Sequence, residues 1–182
     1  MTSPAYSKKK EPEKVRQALI DAAAALVVER GLANVTVSAV AAGAGVTKGA
    51  LFHHFADRDA LVAAMIDSLL RQLDQQLDDL MSVDREPYGR FTRAYLNAAL
   101  AADDANRQIW VALIGAFIGS SDHARIWYDW VDQRVAAYPG ESDGKLQIVR
   151  LAADGAWFAI IAGWKSLDLT DLRSRLTTMT LQ

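Results

Sequence analysis

Apolar residues recur at three- and four-residue spacing along most of this chain, the period of a helix with one buried face. Val15, Leu19, Ala22, Ala23, Leu26 and Val27 form the first such run, and Gly31 after Glu29-Arg30 stops it. The pattern predicts a helix over residues 12–30, with Pro12 in its first turn. A short helix follows, capped by Thr36 or Ser38 and ended by Gly43-Ala44-Gly45. A second short helix is predicted over residues 47–55. Asp57 then caps a long amphipathic helix over residues 57–81, with Leu61, Met65, Ile66, Leu69, Leu73, Leu77 and Leu80 on its apolar side. Further helices are predicted over 88–101, 104–118, 122–137, 143–164 and 168–179, most of them opening on Asp or Ser. No strict apolar–polar alternation persists, so the expected fold class is all-α, with about nine helices. Residues 138–144 form the clearest loop.

The two short helices, separated by Gly43-Ala44-Gly45-Val46, make a helix-turn-helix candidate. Val40 and Val46 can close the pair, and small Ala and Gly residues let the backbones approach. Gly45 can supply a positive φ at the turn. The second helix then presents Thr47, Lys48, Gly49, His53 and His54 outward. Leu51, Phe52 and Phe55 carry the apolar surface that anchors it, though not all need point inward.

The run from Thr36 to Phe55 closely resembles the DNA-binding helix-turn-helix of TetR-family repressors. The family pattern has a Thr-Val start, Ala before Gly-Val, a Ser/Thr with a nearby Lys-Gly, and a Leu-Tyr-x-His-Phe ending. Glu29-Arg30-Gly31 before the run and Arg58-Asp59-Ala60-Leu61 after it match as well. The resemblance covers residues 15–61, and the rest matches in length and helical character. Residues 150–157 also look like the eighth helix of one C-terminal subgroup. The resemblance implies a helix-turn-helix DNA-binding domain with a basic arm over residues 1–57, and an effector-binding and dimerisation domain over 58–182. It further implies a ligand-responsive regulator, a homodimeric repressor released from double-stranded operator DNA by a small-molecule effector.

Each residue of the candidate interface can serve an ordinary surface or packing role as well as a functional one. Lys48 suits a phosphate or base-edge contact in the major groove, or is a solvated lysine. Gly49 lets the backbone approach DNA closely. Thr47 and Thr36 cap their helices and can also reach a phosphate. His53 and His54 point about 100° apart on a helix and cannot easily share a metal, so no metal site is expected. For His54 the resemblance implies a contact with the DNA backbone, and the alternative is packing beneath the recognition helix. His53 stands where the family often has an aromatic that reaches DNA. Phe52 replaces a frequent Tyr and so lacks a hydroxyl for a phosphate. Arg58 can pair with a phosphate or with a nearby Asp. Lys8, Lys9 and Lys10 form a basic arm for the minor groove or backbone, or a solubilising tail.

The later helices hold all five tryptophans: Trp110, Trp127, Trp130, Trp157 and Trp164. Aromatics at helical spacing usually pack a core. The resemblance implies a ligand pocket among them, for which Leu69, Tyr95, Trp110, Phe117, Trp127 and Trp157 are candidates. Asp154, in an apolar helix, calls for a cationic ligand, a partner such as Arg93, or exposure. Gly155, Ala159 and Gly163 form an i, i+4, i+8 stripe of small residues. With Ile160, Trp164, Leu169, Leu172 and Leu176 it fits a two-helix face that pairs with its copy in a homodimer.

Composition narrows the alternatives. The chain has 182 residues, no Cys and a formal charge of −2. Without Cys there are no disulfides, Cys-ligated zinc or thiol chemistry. No nucleophile–base constellation, Gly-rich phosphate loop or metal set stands out, so no catalytic residues and no cofactor are expected. A helical-bundle enzyme and a DNA-independent adaptor remain the alternatives. The N-terminus has no secretory h-region, and no apolar run reaches the roughly 20 residues a membrane helix needs, so a cytoplasmic, membrane-free protein is expected. The near-neutral charge is uneven. Residues 1–58 hold 8 Lys+Arg against 5 Asp+Glu, and residues 59–182 hold 12 against 17. The basic part coincides with the helix-turn-helix.

Overall fold

The computed structural model describes residues 4–101, 104–118 and 120–181, and every regular element among them is helical. The α-helices are α1 (Pro4–Arg30), α2 (Val37–Gly43), α3 (Lys48–His54), α4 (Arg58–Val83), α5 (Arg90–Ala99), α6 (Asp104–Ile118), α7 (Ser121–Ala137), α8 (Gly144–Ile161) and α9 (Leu169–Met179), with a 3-10 turn at Leu32–Asn34.

The helix starts follow local chemistry. Thr36, Thr47, Asp57, Asp143 and Asp168 each accept a hydrogen bond from a backbone N–H two or three residues on. Each satisfies a donor that the first turn leaves open. Between Thr36 and Ser38, the cap of α2 is Thr36.

Three of the bounds that differ from expectation bear on the site. α1 begins at Pro4 and runs through Pro12, so Lys8, Lys9 and Lys10 belong to the helix and not to a flexible arm. Their side chains lie outside the described residues. α5 begins at Arg90, because Gly89 has φ +69 and cannot continue a right-handed helix. α8 ends at Ile161. Gly163 takes φ +76, its N–H donates to Ile160 O at 3.1 Å, and the Trp164 N–H donates to Ala159 O at 2.9 Å. This pair of bonds is a Schellman stop. Gly163 and Trp164 are therefore outside the helix, and the stripe of small residues ends at Ala159.

Packing divides the chain into two compact units. The first runs to Leu70 and takes in Val111–Ala124. The second comprises Arg71–Trp110 and the chain from Arg125 onward. The division thus falls inside α4, which is one uninterrupted helix.

In the first unit α1 packs on α2 and α3, which pack on each other. Leu19, Ala23 and Val27 supply the buried stripe of α1, spaced at i, i+4, i+8. Val40, Ala41, Leu51, Phe55, Leu61 and Met65 complete the core. A Cβ on Gly43 would stand 3.3 Å from Ala22 Cβ, so the α1–α2 approach leaves little room there.

In the second unit α5 is buried along nearly its whole circumference and packs on α8 and α9. Its N-terminal amides have no local side-chain cap. They donate instead to the fully buried carboxylate of Glu141: Phe91 N to Oε1 at 2.9 Å and Thr92 N to Oε2 at 3.3 Å. A carboxylate there complements the helix dipole. Arg150 Nη1 stands 3.3 Å from Glu141 Oε2, and its Nη2 donates to Glu141 O at 3.1 Å. Arg93 fixes the other side of this junction. Its guanidinium donates to Asp84 at 2.7 Å, to the carbonyls of Glu86 and Tyr88, and to Thr180 O at 2.7 Å. Trp130 Nε1 donates to Asp74 at 3.0 Å and Arg134 pairs with Asp78 at 2.6 Å, joining α7 to the second half of α4.

Candidate nucleic-acid interface and ligand cavity

The turn between α2 and α3 is a second Schellman stop. Gly45 has φ +67, its N–H donates to Ala42 O at 3.1 Å, and the Val46 N–H donates to Ala41 O at 2.9 Å. The turn closes the C-terminus of α2 and delivers the chain to Thr47. Thr47 Oγ1 then accepts from Ala50 N at 3.1 Å and starts α3. Leu51 and Phe55 are buried beneath α3, with Arg16 5.2 Å from the Phe55 ring.

The outer side of α3 is open. Thr47, Lys48, Gly49 and His53 are exposed, as is Thr36 at the start of α2. Phe52 is 54% exposed, one turn from Lys48 on the same face. His54 is half-buried, its ring 6.5 Å from that of Phe55. A Cβ on Gly49 would meet only Thr47 Oγ1, at the ordinary contact distance of 3.7 Å. Packing within the chain therefore does not require glycine at this position.

Arg58 is engaged elsewhere. Its Nε donates to Val35 O at 2.7 Å and its Nη2 to Leu32 O at 2.8 Å, with Asp59 3.3 Å from Nη1. The guanidinium fastens the start of α4 to the turn ahead of α2. Sequence reasoning offered only a phosphate or an Asp as partner, because backbone carbonyls 23 and 26 residues away leave no local trace.

The second unit contains an open cavity of about 360 Å³. Tyr95, Trp127, Tyr128, Arg150 and Asp154 line it. The Tyr95 hydroxyl donates to Asp154 Oδ1 at 2.5 Å, and the Tyr95 and Trp127 ring centroids are 6.3 Å apart. Burial, opposed by the Tyr95 hydrogen bond and the Arg150 charge, lifts the Asp154 pKa from 3.8 to about 6. Burial and the nearby Asp154 charge push the Tyr95 phenol well above its ordinary value, so it remains the donor.

Of the expected pocket residues, Tyr95 and Trp127 line this cavity. Trp157 is buried in the second unit and Leu69 in the first, while Phe117 is half-buried in the first. The Trp110 side chain lies outside the described residues. Arg93, offered as a partner for Asp154, is committed to Asp84 and three carbonyls; Tyr95 is the partner instead.

Among the expected pairing residues, Gly155 and Trp164 are exposed and Leu172 is half-buried. Ala159 and Leu176 are buried within the chain. The apolar surface that α8 leaves open is a different stripe. Ile148, Leu151, Phe158 and Ile161 are 58%, 63%, 57% and 41% exposed around Gly155.

No described helix is long and apolar enough to cross a membrane.

Two family models match the chain. One, described as bacterial regulatory proteins of the tetR family, covers residues 19–65. The other, described as the tetracyclin repressor-like C-terminal domain, covers residues 89–181. The HTH-type transcriptional repressor KstR2 of Mycobacterium tuberculosis is 31% identical over 94 residues, 52% of this chain and 47% of that protein. The HTH-type transcriptional regulator TtgR of Pseudomonas putida is 41% identical over 61 residues, 34% of this chain and 29% of that protein. The matched segment thus spans half the length of these relatives or less. Among solved structures, a TetR-family member from Streptomyces coelicolor matches with a TM-score of 0.74 at 20% identity, over 92% of this chain and 99% of the other. The multidrug binding protein EbrR, complexed with malachite green, matches with a TM-score of 0.70 at 22% identity, over 92% and 98%. The two family models together span both the helix-turn-helix and the helical body, and the chain belongs to the TetR family of bacterial regulatory proteins.

Proposed function

We propose that this chain is a ligand-responsive transcriptional repressor that binds double-stranded operator DNA as a homodimer in the cytoplasm. It acts by binding and not by catalysis. The observation that carries the reading is the open face of α3, where Thr47, Lys48, Gly49, Phe52 and His53 stand clear of the core. Glycine inside a helix costs roughly 0.5–1 kcal/mol relative to Ala, and no packing around Gly49 requires it. A backbone that must lie close to DNA supplies the reason. Lys48 serves a phosphate or base edge, Phe52 suits a thymine methyl, and the Thr36 and Thr47 hydroxyls can donate to phosphates while they cap. Arg58 is left out of the contact set because its N–H groups hold carbonyls. Lys8, Lys9 and Lys10, on the first turns of α1, stay in the set as backbone contacts.

The stripe of Ile148, Leu151, Phe158 and Ile161 on α8 is the proposed dimer face, with Gly155 permitting close approach. Trp164, exposed, and Leu172, half-buried, are kept in the proposed face, whereas Ala159 and Leu176 are buried within the chain. Two-fold pairing of this kind matches paired half-sites. The cavity lined by Tyr95, Trp127 and Asp154 is the proposed effector site. Effector binding alters DNA affinity through α4 and α6, whose residues belong to both units. The effector must prefer one of two conformations for this to occur. The names of the relatives support the reading: KstR2 is a repressor and EbrR a multidrug binding protein.

Selection from random DNA, followed by sequencing, tests this function. Enrichment of two-fold related half-sites is expected; no enrichment overturns DNA binding. Lys48→Ala is expected to weaken binding to the selected site about tenfold and to lower the salt slope by about one for each phosphate that Lys48 neutralises. Sedimentation of a monomer alone at micromolar concentration overturns the dimer.

A further inference from the structure

We propose that the cavity of the second unit is a site for organic cations, amines or onium groups with an apolar or aromatic body, held by the Asp154 carboxylate and the Tyr95 and Trp127 rings. This deepens the effector reading above and depends on it only for the regulatory outcome.

The cavity volume of about 360 Å³ falls within the roughly 300–1,000 Å³ of small-molecule sites. Its charge is one-sided. Arg150 lines it, but Nη1 donates to Thr92 Oγ1 at 2.6 Å and pairs with Glu141, while Nη2 donates to Glu141 O. The fully buried Glu141 carboxylate therefore answers the arginine charge from behind the wall. Asp154 makes no salt bridge among the described residues, although the Arg150 charge also reaches it and favours its ionised form. Its hydrogen bond in the described structure is the one accepted from the Tyr95 hydroxyl at 2.5 Å, and a neutral acceptor would serve that hydroxyl equally well. A part-buried carboxylate whose nearest cation is shared with Glu141 is left under-compensated, which is costly. Asp132, exposed, adds a second negative charge to the lining.

Two aromatic walls flank the acid, Tyr95 from α5 and Trp127 from α7, with Tyr128 64% exposed beside them. Ring faces are negative and draw cations, the more so away from water. Carboxylate and rings thus act with one sign. A neutral ligand gains from the rings alone, and an anion meets two carboxylates. Burial lifts the Asp154 pKa to about 6 against the Tyr95 hydrogen bond and the Arg150 charge, which still leaves it ionised at pH 7.5.

The test uses the full chain and two ions of the same shape, tetraphenylphosphonium and tetraphenylborate, with benzyltriethylammonium as a smaller cation. Binding is read at pH 7.5 by tryptophan fluorescence and calorimetry. At least one cation is expected to bind about tenfold or more tighter than the borate. Asp154→Asn is expected to lose at least about tenfold of the cation affinity with little change for the borate. Circular dichroism and the melting temperature verify its fold. Tyr95→Phe, which keeps the ring, is expected to hold cation affinity within about threefold. Equal or tighter borate binding, an undiminished Asp154→Asn affinity, or failure of both cations up to about 1 mM overturns the proposal. If cations bind through Asp154 and DNA affinity does not change, the site stands and effector control falls. If a neutral or anionic compound releases DNA while both cations fail to bind, effector control stands and this inference falls.

Discussion

A Cβ built on Gly115 of α6 would stand 2.7 Å from Val27 Cγ1 of α1, well inside van der Waals contact. Val27 is 3% exposed and β-branched, so it cannot rotate away. Gly115→Ala is therefore expected to destabilise the protein by about 1–3 kcal/mol, although Ala is the better helix former. Val27→Ala in the same chain should recover part of that loss. Urea unfolding of the four proteins in a double-mutant cycle measures it, and strict additivity of the two changes would sink the overlap. Because α1 packs on α2 and α3, Gly115→Ala should also change DNA affinity with the α3 surface untouched.

Arg58 separates a clasp from a phosphate contact. Its Ala variant should lose about 1–3 kcal/mol of stability, since the Leu32 and Val35 carbonyls lose charged donors. DNA affinity should fall as the helix-turn-helix loosens. The slope of log affinity against log salt should stay unchanged, because no phosphate neutralisation is removed. A slope lowered by about one with stability intact would assign Arg58 to DNA instead.

Glu141→Gln changes no volume but places an amide donor among donors. Oε1 accepts from Phe91 N, and Oε2 faces the Thr92 N–H and hydroxyl and Arg150. Whichever way the Gln lies, its NH₂ meets an N–H, and Arg150 is left without its counter-charge. A loss of about 3 kcal/mol is expected by denaturant unfolding. A loss under about 1 kcal/mol would mean that the junction tolerates neutrality.

Asp154 makes stability depend on acid. Its folded pKa, raised from 3.8 to about 6, means that the folded state holds the proton more tightly than the unfolded chain. The group therefore favours folding most below about pH 4, and this contribution is lost as pH rises through 6. Tyr95 from α5, Asp132 from α7 and Arg150 on α8 itself line the same cavity, and Arg150 in turn pairs with Glu141. Asp154→Asn removes the titration. It should exceed the wild type in stability by about 3 kcal/mol at pH 7.5, with the gap closing toward pH 4. A gap that does not vary with pH would contradict the assignment.

The sequence carries local rules well. Thr36, Thr47, Asp57, Asp143 and Asp168 cap where side-chain oxygens precede helical periodicity, and Gly45 takes the positive φ expected of it. These features need only neighbours within three residues. Glu141 shows the limit. It lies in the segment that reads most clearly as loop, next to Gly140, yet it is fully buried. Its partners stand about 50 residues earlier, beyond any local pattern. Gly163 misled for the opposite reason: its spacing continued a helical stripe, while its backbone ended the helix. The exposed stripe on α8 has no local mark, because the exposure of Leu151 and Phe158 depends on what packs against the helix and not on their type. Tyr95 and Trp127 entered as cavity candidates through the family resemblance, and Asp154 acquired its partner only through the packing of α5 on α8.

The junction at the start of α5 sets an order of assembly. Phe91 waits for Glu141, 50 positions later, and Arg93 for Thr180, 87 positions later. Contacts so distant in sequence close large loops and form late. During synthesis, α5 emerges before every partner that satisfies its N-terminus, so its amides stay with water until the far segments arrive. The second unit is thus expected to lock as a whole when α9 docks, with its most deeply buried helix among the last to be completed.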